Sequence, residues 1–152
     1  MSKNTRDTLF RKVDVDQYSE DKFEEDEQGD GTVNGVGPNE AEVQTLLSQG
    51  KNVDALKVAL RNPPVTSKNQ AVKDKALQVV MRVLLQFKSS DIDNAVKSLD
   101  SPTKDILMKY IYRGFEIPAE GSSAQLLTWH QKVFALAGLG CVVRVLTDRK
   151  RV

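Results

Sequence analysis

The chain has 152 residues, a mass of 16.9 kDa and a formal net charge of +1, with 39% hydrophobic and 28% charged residues. This length suits one domain with a modest core and argues against two full-sized domains. A net charge near zero gives no global field that would favour nucleic acid or a membrane surface. The single cysteine, Cys141, excludes an internal disulfide framework and a zinc-ribbon site.

The sequence has no obvious targeting or membrane-spanning segment. The N-terminal stretch MSKNTRDTLF lacks the apolar region of a secretory signal. The longest uncharged and largely apolar run, residues 133–143, is far shorter than the roughly 20 residues of a membrane helix. We therefore expect a soluble intracellular protein.

The two ends of the chain have opposite charges. Residues 1–40 contain 11 acidic and 5 basic side chains, whereas the other 112 residues contain 17 basic and 10 acidic ones. Residues 1–38 also show no sustained helical or strand period, and they end in a glycine-rich stretch that is costly to order. The sequence therefore predicts two parts, an acidic extended or disordered arm over 1–38 and a helical core domain over 39–152.

The arm contains hydrophobic side chains between its acids. They are spaced by two, three or five residues, which suits an extended strand better than one helix face: Phe10, Val13, Val15, Tyr18 and Phe23. A solvated acidic tail rarely contains three of a chain's nine aromatic residues. Two interpretations remain open from these residues, a solvating tail and a segment that orders on a partner surface.

The chain from Asn39 onwards has the capping and periodicity of helices. Asn39 with Glu42 indicates a short helix that ends at Gly50, and a second helix begins at Asn52 and stops at two prolines. Ser67 with Gln70 indicates a cap before the longest helix, over about residues 68–88. Because this helix is apolar on most sides over two turns, we expect it at the centre of the core.

Three more helices follow, with caps predicted at Ser90, Ser101 and Ser122. The last of them should end at Gly138 or Gly140, and residues 141–146 fit either helix or strand by propensity, so we assign a final short helix. Short connections between amphipathic helices predict an all-α, antiparallel helical core, either a bundle or a short α-solenoid. Six side chains should be buried in it: Leu84, Phe87, Leu107, Ile111, Leu127 and Val133.

The residues do not indicate an enzyme, and we predict no catalytic residue, cofactor or metal. The one histidine, His130, lies in an apolar helix beside a tryptophan, and Cys141 lies in a valine-rich run. We interpret both as structural, although a cryptic thiol enzyme built on them is a remote alternative. Residues 26–31 look like the start of a calcium loop, but the twelfth position holds Gly37 where a glutamate is required.

Four sequence segments are more specific than composition and spacing, and they indicate a family resemblance. They are FRKVDVDQYSEDKF over residues 10–23, MKYIYRGFE over 108–116, LLTWHQK over 126–132 and RVLTDRK over 144–150. Together they resemble the family of subunit 5, the smallest subunit of the actin-related protein 2/3 complex. The resemblance extends in register over nearly the whole chain. Local departures, such as Glu24 and the Ser101-Pro102-Thr103 connection, do not affect a catalytic function, because that family has none.

The resemblance implies a non-catalytic structural and regulatory subunit of the complex that nucleates branched actin filaments. It implies an irregular α-α superhelix that docks on the β-propeller subunit and a scaffold subunit, and no small-molecule substrate. It also implies that the arm tethers the actin-related protein 2 subunit. The tether residues would be Phe10, Arg11, Val13, Asp14, Val15, Asp16, Tyr18 and Phe23.

The same resemblance implies a place at the actin cytoskeleton, in the cytoplasm of lamellipodia and other cell projections, with the nucleus as a second location. Actin filaments would be indirect partners, and nucleic acid and membrane insertion play no part.

An alternative class of protein stays open. A free-standing helical adaptor would use the acidic arm to bind basic partners, and it would elute alone in gel filtration rather than with a large complex.

Overall fold

The computed structural model describes residues 37–117 and 121–152. Within these two ranges the secondary structure consists of helices without strands, as predicted. The six helices are α1 (Glu40–Ser48), α2 (Asn52–Arg61), α3 (Gln70–Gln86), α4 (Ser89–Lys97), α5 (Ser101–Glu116) and α6 (Ser123–Thr147). The all-α fold class is therefore confirmed, and residues 141–146 are helical.

The first predicted cap is confirmed by a hydrogen bond. The backbone N–H of Glu42 donates to the side-chain oxygen of Asn39 at 3.3 Å, which satisfies one of the unpaired N–H groups at the start of α1. The cap of α6 is at Ser122, as expected, although its side chain makes no capping hydrogen bond.

Three predicted caps are displaced by one or two residues. Asn69 rather than Ser67 caps α3 and accepts from the N–H of Ala71 at 3.0 Å. Asp100 rather than Ser101 caps α5 and accepts from the N–H of residue 103 at 3.2 Å. In both places two polar residues compete, and the amide or carboxylate oxygen reaches the helix N–H groups where the hydroxyl does not. The start of α4 follows Lys88, so the predicted cap, Ser90, lies inside the helix.

Helices α5 and α6 make the most extensive pairing in the described part of the chain. Residues later in α6 contact residues earlier in α5. Leu126 lies against Gly114, His130 against Tyr112, and Cys141 against the carbonyl of Lys104. The two helices are therefore antiparallel. Helices α1, α2 and α3 pack successively on one another, and α4 packs on α6.

Gly114 allows α5 and α6 to approach closely. A Cβ atom at this position would lie 3.0 Å from a methyl of Leu126 and 3.1 Å from the sulfur of Met81. These distances leave no room for a larger side chain unless both neighbours move. The absence of a side chain here therefore sets how near α3 and α6 come to α5.

The core is formed mainly by α3, α5 and α6. Its largest fully buried side chains include Trp129, Tyr110, Leu84 and Ile111. Five of the six predicted core residues are buried: Leu84, Phe87, Leu107, Ile111 and Val133. The sixth prediction was wrong, because Leu127 is 60% exposed. Leu126 occupies the core instead, one residue and about 100° earlier around the helix.

Helix α6 contains a break at Gly138, whose backbone angles are φ 71° and ψ −175°. Only glycine adopts this conformation readily, so the predicted stop at Gly138 corresponds to a real change of direction.

By length and composition α6 could cross a membrane, with a mean hydropathy of 1.3. The break divides it into residues 123–137 and 139–147, each shorter than the roughly 20 residues of a span. One face of each piece is buried in the core.

Candidate partner-binding surface

The predicted tether lies outside the described residues. All eight of its side chains belong to the range 1–36: Phe10, Arg11, Val13, Asp14, Val15, Asp16, Tyr18 and Phe23. The tether, and the division of the chain at residue 38, therefore stay predictions. The described core nevertheless presents apolar surface that the sequence analysis did not assign.

Large apolar side chains are exposed mainly along α6. In the described ranges they are Leu85, Ile117, Leu127, Phe134, Leu136, Leu139, Val143 and Leu146, and six of these eight lie on α6. Single exposed hydrophobic residues are ordinary on protein surfaces, whereas a contiguous apolar surface usually marks an interaction site. Helix α6 therefore has one apolar face in the core and further apolar side chains on its outer side.

Four half-buried or exposed rings form what we call the aromatic patch: Tyr112, Phe115, His130 and Phe134. His130 stacks on Phe134 with centroids 6.3 Å apart and an interplanar angle of 6°, and it meets Tyr112 edge-on at 5.5 Å. The hydroxyl of Tyr112 and Nε2 of His130 are 3.1 Å apart, within hydrogen-bond distance. Aromatic groups with a polar tip are enriched at protein interfaces, so this patch is a candidate docking site.

The single histidine therefore has a structural role in the described fold, as predicted, because it joins α5 to α6 through ring contacts and a hydrogen bond. Cys141 is buried, and its sulfur lies 4.0 Å from the carbonyl oxygen of Lys104. Burial, reinforced by the carboxylate of Asp105, raises the pKa of this thiol to about 12. The thiol is therefore protonated at neutral pH, which is unfavourable for a nucleophile.

Residues 139–152 follow the break in α6, and polar contacts of three basic side chains hold them against the core. The guanidinium of Arg144 donates two hydrogen bonds to Asp105, at 2.7 and 2.8 Å. The ammonium of Lys109 pairs with Asp148 at 2.5 Å and also donates to the carbonyl of residue 150. Lys73 donates to the carbonyl of residue 151 at 2.9 Å. These contacts join the C-terminal residues to α3 and α5.

The carboxylates in these contacts are stabilised in their charged form. Hydrogen bonds from Arg144 hold the pKa of Asp105 below its usual value, and the hydrogen bond from Lys109 lowers the pKa of Asp148. Val152 is buried among the core residues. The segment is therefore fixed by charge-assisted hydrogen bonds and by apolar burial together.

The outer side of this segment is apolar. Leu139, Val143 and Leu146 are 65%, 50% and 65% exposed, and their spacing of four and three residues places them on one face. We call these three residues the C-terminal stripe. The spacing of these residues is visible in the sequence but did not indicate the stripe there, because residues 141–146 fit either helix or strand by propensity.

No group of three or more His, Cys, Asp or Glu side chains in the described ranges is placed to hold a metal ion. The surface features in these ranges are instead apolar and aromatic. A helical core with exposed aromatic and aliphatic side chains is typical of proteins that bind other protein chains.

The comparisons with known proteins agree with that class. The model of the ARP2/3 complex 16 kDa subunit (p16-Arc) family matches residues 9–152. The chain is 52% identical over 153 residues to actin-related protein 2/3 complex subunit 5-C of Xenopus laevis and to the subunit 5-like protein of Homo sapiens, covering all of each chain. Subunit 5 of Dictyostelium discoideum is 35% identical over 139 residues, which cover 89% of this chain and 99% of the relative.

This chain therefore belongs to the p16-Arc family, and the predicted resemblance is confirmed. The matched range includes most of the arm as well as the whole helical core. The identities to the subunit 5-C and 5-like relatives are equal, so identity alone does not place the chain with either form.

Proposed function

We propose that this chain is a non-catalytic structural and regulatory subunit of the actin-related protein 2/3 complex, which nucleates branched actin filaments. The observation that supports this most strongly is the match to relatives named as subunit 5 of that complex, over the full length of both chains. A subunit needs surfaces for its neighbours, and the aromatic patch and the exposed side of α6 are such surfaces.

The helical core docks on the β-propeller subunit and on a scaffold subunit of the complex. The apolar side chains on the outside of α6 support this part of the proposal, because they would be buried on assembly and would contribute about 25 cal/mol for each Å² removed from water. The complex would place the chain at the actin cytoskeleton of lamellipodia and other cell projections, with the nucleus as a second location.

The arm tethers the actin-related protein 2 subunit. Its apolar side chains act as anchors, and the acids Asp14 and Asp16 add charge steering and register that weaken as salt increases. The apolar anchors supply most of the binding energy, as at other interfaces. The core and the arm should therefore be separable in function.

A reconstitution experiment tests the proposal. The complex is assembled from its subunits with this chain, without it, or with a chain that lacks residues 1–30, and actin nucleation is measured by filament fluorescence. The full chain should elute with the complex and support nucleation. The truncated chain should still join the complex, hold actin-related protein 2 less firmly and nucleate more slowly.

A double variant and a matched control test whether the loss of nucleation comes from the apolar anchors of the arm. Val13→Asp combined with Tyr18→Ala should reproduce much of the loss, whereas Val33→Asp, outside the anchor set, should not. If the full chain elutes alone, it is the free-standing adaptor. If the truncated chain and the double variant both nucleate like the wild type, the arm is a solvating tail and the tether is wrong.

A further inference from the structure

The C-terminal stripe is the exposed half of a helical piece that has two apolar faces. Cys141 and Val145 of this piece are buried in the core, on the side away from Leu139, Val143 and Leu146. An ordinary surface helix shows one apolar face and one polar face. Exposing a second apolar face to water is unfavourable in free energy. This unfavourable term disappears when another chain covers the face.

The stripe is held in place before any partner arrives. The bidentate contact of Arg144 with Asp105 fixes the helical piece on α5, and Lys109 and Lys73 fix the residues that follow it. The buried side chain of Val152 closes the segment against the core. A preorganised surface loses little conformational entropy on binding, so its apolar area is available for affinity.

The charge around the C-terminal stripe restricts the kind of partner that can bind it. Arg144 is already paired with Asp105. After α6 the chain contains three basic side chains, Arg149, Lys150 and Arg151, and one acidic side chain, Asp148, which pairs with Lys109. The described core as a whole also has more bases than acids. A basic partner would be repelled here, whereas an acidic one would be attracted and oriented.

We infer that the C-terminal stripe is the docking surface for an amphipathic helix with an acidic rim, supplied by a neighbouring subunit. A spacing of four and three residues presents a ridge that fits between the side chains of a facing helix. The acidic rim of that helix lies against the basic residues after α6, and its apolar residues cover Leu139, Val143 and Leu146. This inference rests on the proposed function and specifies one of its interfaces.

The apolar contact is tested in the reconstituted complex with the double variant Leu139→Glu and Leu146→Glu. Both side chains are exposed, so the free chain should keep the wild-type circular dichroism and melting temperature. Its affinity for the rest of the complex should fall by about tenfold or more, because two anchors become charged. Leu85→Glu, the same change on α3 at an exposed leucine, is the matched control and should assemble like the wild type.

The charge contact is tested with Lys150→Glu and Arg151→Glu. Only the backbone carbonyls of these residues accept the hydrogen bonds of Lys109 and Lys73, so the substitutions leave both bonds possible. Assembly should weaken by about tenfold at low salt and become less sensitive to added salt. Lys57→Glu with Arg61→Glu on α2 changes the net charge equally at an exposed site and should leave the affinity unchanged.

A photoreactive amino acid in place of Val143 identifies the partner directly. In the assembled complex it should cross-link to a helical segment of another subunit that contains both acidic and apolar residues. Cross-links to a basic segment would overturn the inference, as would normal assembly of the leucine variant. Stripe-dependent flotation with anionic phosphatidylserine vesicles would assign the surface to a membrane instead.

The outcomes separate this inference from the proposed function. If the wild-type chain assembles and the stripe variants assemble equally well, the proposed function stands and the docking surface is wrong. If the wild-type chain does not join the complex, both are wrong, because the inference places its partner among the other subunits.

Discussion

The indole N–H of Trp129, on α6, donates a hydrogen bond of 3.2 Å to the backbone carbonyl of Leu84, on α3. Both side chains are fully buried, and the ring of Phe87 meets the indole edge-on at 5.1 Å. Leu84 is near the end of α3, and its carbonyl also accepts from the backbone N–H of Phe87 at 3.4 Å. The Trp129 side chain therefore adds a second hydrogen bond at the end of α3 and fills the space between two core helices.

The first prediction concerns this hydrogen bond. Trp129→Phe should lower the free energy of unfolding by about 1–3 kcal/mol, because it removes the donor to Leu84 and leaves part of the indole volume empty. Tyr110→Phe is the contrasting change. The buried hydroxyl of Tyr110 has no hydrogen-bond partner among the described residues, so its removal should leave stability unchanged or higher. Urea unfolding of the two variants measures the difference.

The second prediction concerns the break in α6. Gly138→Ala should lower the free energy of unfolding by about 1–3 kcal/mol, because φ 71° with ψ −175° is unfavourable for any residue with a Cβ. Gly140→Ala is the control two residues later. A Cβ there lies 3.2 Å from a guanidinium nitrogen of Arg144, which needs to move by only a few tenths of an ångström, so the loss of stability should be smaller than at Gly138. Equal melting temperatures for the two variants would contradict the assigned break.

The third prediction separates the two faces of the core helices. Ile111→Ala should cost about 2–5 kcal/mol, because the side chain is fully buried and its removal leaves a cavity. Leu127→Ala should change stability by less than about 0.5 kcal/mol, because that side chain is largely exposed. Thermal melts of the isolated chain test this, and a large loss at Leu127 would contradict the orientation of α6.

The fourth prediction concerns pH. The pKa of Asp105 is lowered by Arg144, so the folded chain binds this proton less readily than the unfolded chain does. The resulting stabilisation is present at neutral pH and is lost as the pH falls through about 4 and on towards the lowered pKa. Asp105→Asn should therefore be less stable at pH 7, and its melting temperature should fall less steeply between about pH 6 and pH 3.

An exposed carboxylate serves as the control for that pH profile. Asp54 is exposed in the first turn of α2, and Asp54→Asn is measured beside Asp105→Asn in the same melts. If Asp105→Asn and Asp54→Asn give parallel profiles, the contact between Asp105 and Arg144 contributes little in solution.

The fifth prediction concerns Cys141, whose thiol is buried with a raised pKa. Iodoacetamide at about pH 8 should modify it slowly in the folded chain and rapidly in urea, because the reactive thiolate is scarce in the fold. Cys141→Ser should leave nucleation by the assembled complex nearly intact. His130→Gln should also leave nucleation nearly intact in the fraction that assembles, because any loss from the aromatic patch affects docking. Loss of activity in a variant that assembles normally would support the thiol-enzyme alternative.

The sequence was most informative where local rules act alone. The hydrogen bond from Glu42 to Asn39 follows from residue type and spacing. At Ser67 and Ser101 a nearby Asn69 or Asp100 makes the cap instead, because α3 begins at Gln70 and α5 at Ser101, which places Asn69 and Asp100 at the capping position. Sequence rules therefore locate such a cap within about two residues and do not choose between adjacent polar candidates.

The candidate site was less predictable. The strings over residues 10–23 and 108–132 were sufficient to recognise the family, and the family gave the expected partners. They did not indicate the aromatic patch, because Tyr112 on α5 and His130 on α6 are 18 residues apart in sequence and meet only when the helices pair. They also did not indicate that Leu127 faces outwards.

The amino-acid sequence by itself determined that the core is helical, where most helices begin and end, and which family the chain belongs to, because capping, periodicity and motif strings are local properties. Tertiary packing decided which side of α6 faces the core. That helix is apolar around most of its circumference, so periodicity could not choose between Leu126 and Leu127. Two contacts with α5 accompany that choice: Leu126 packs closely against Gly114, and Arg144 is held by Asp105 while the C-terminal stripe faces outwards.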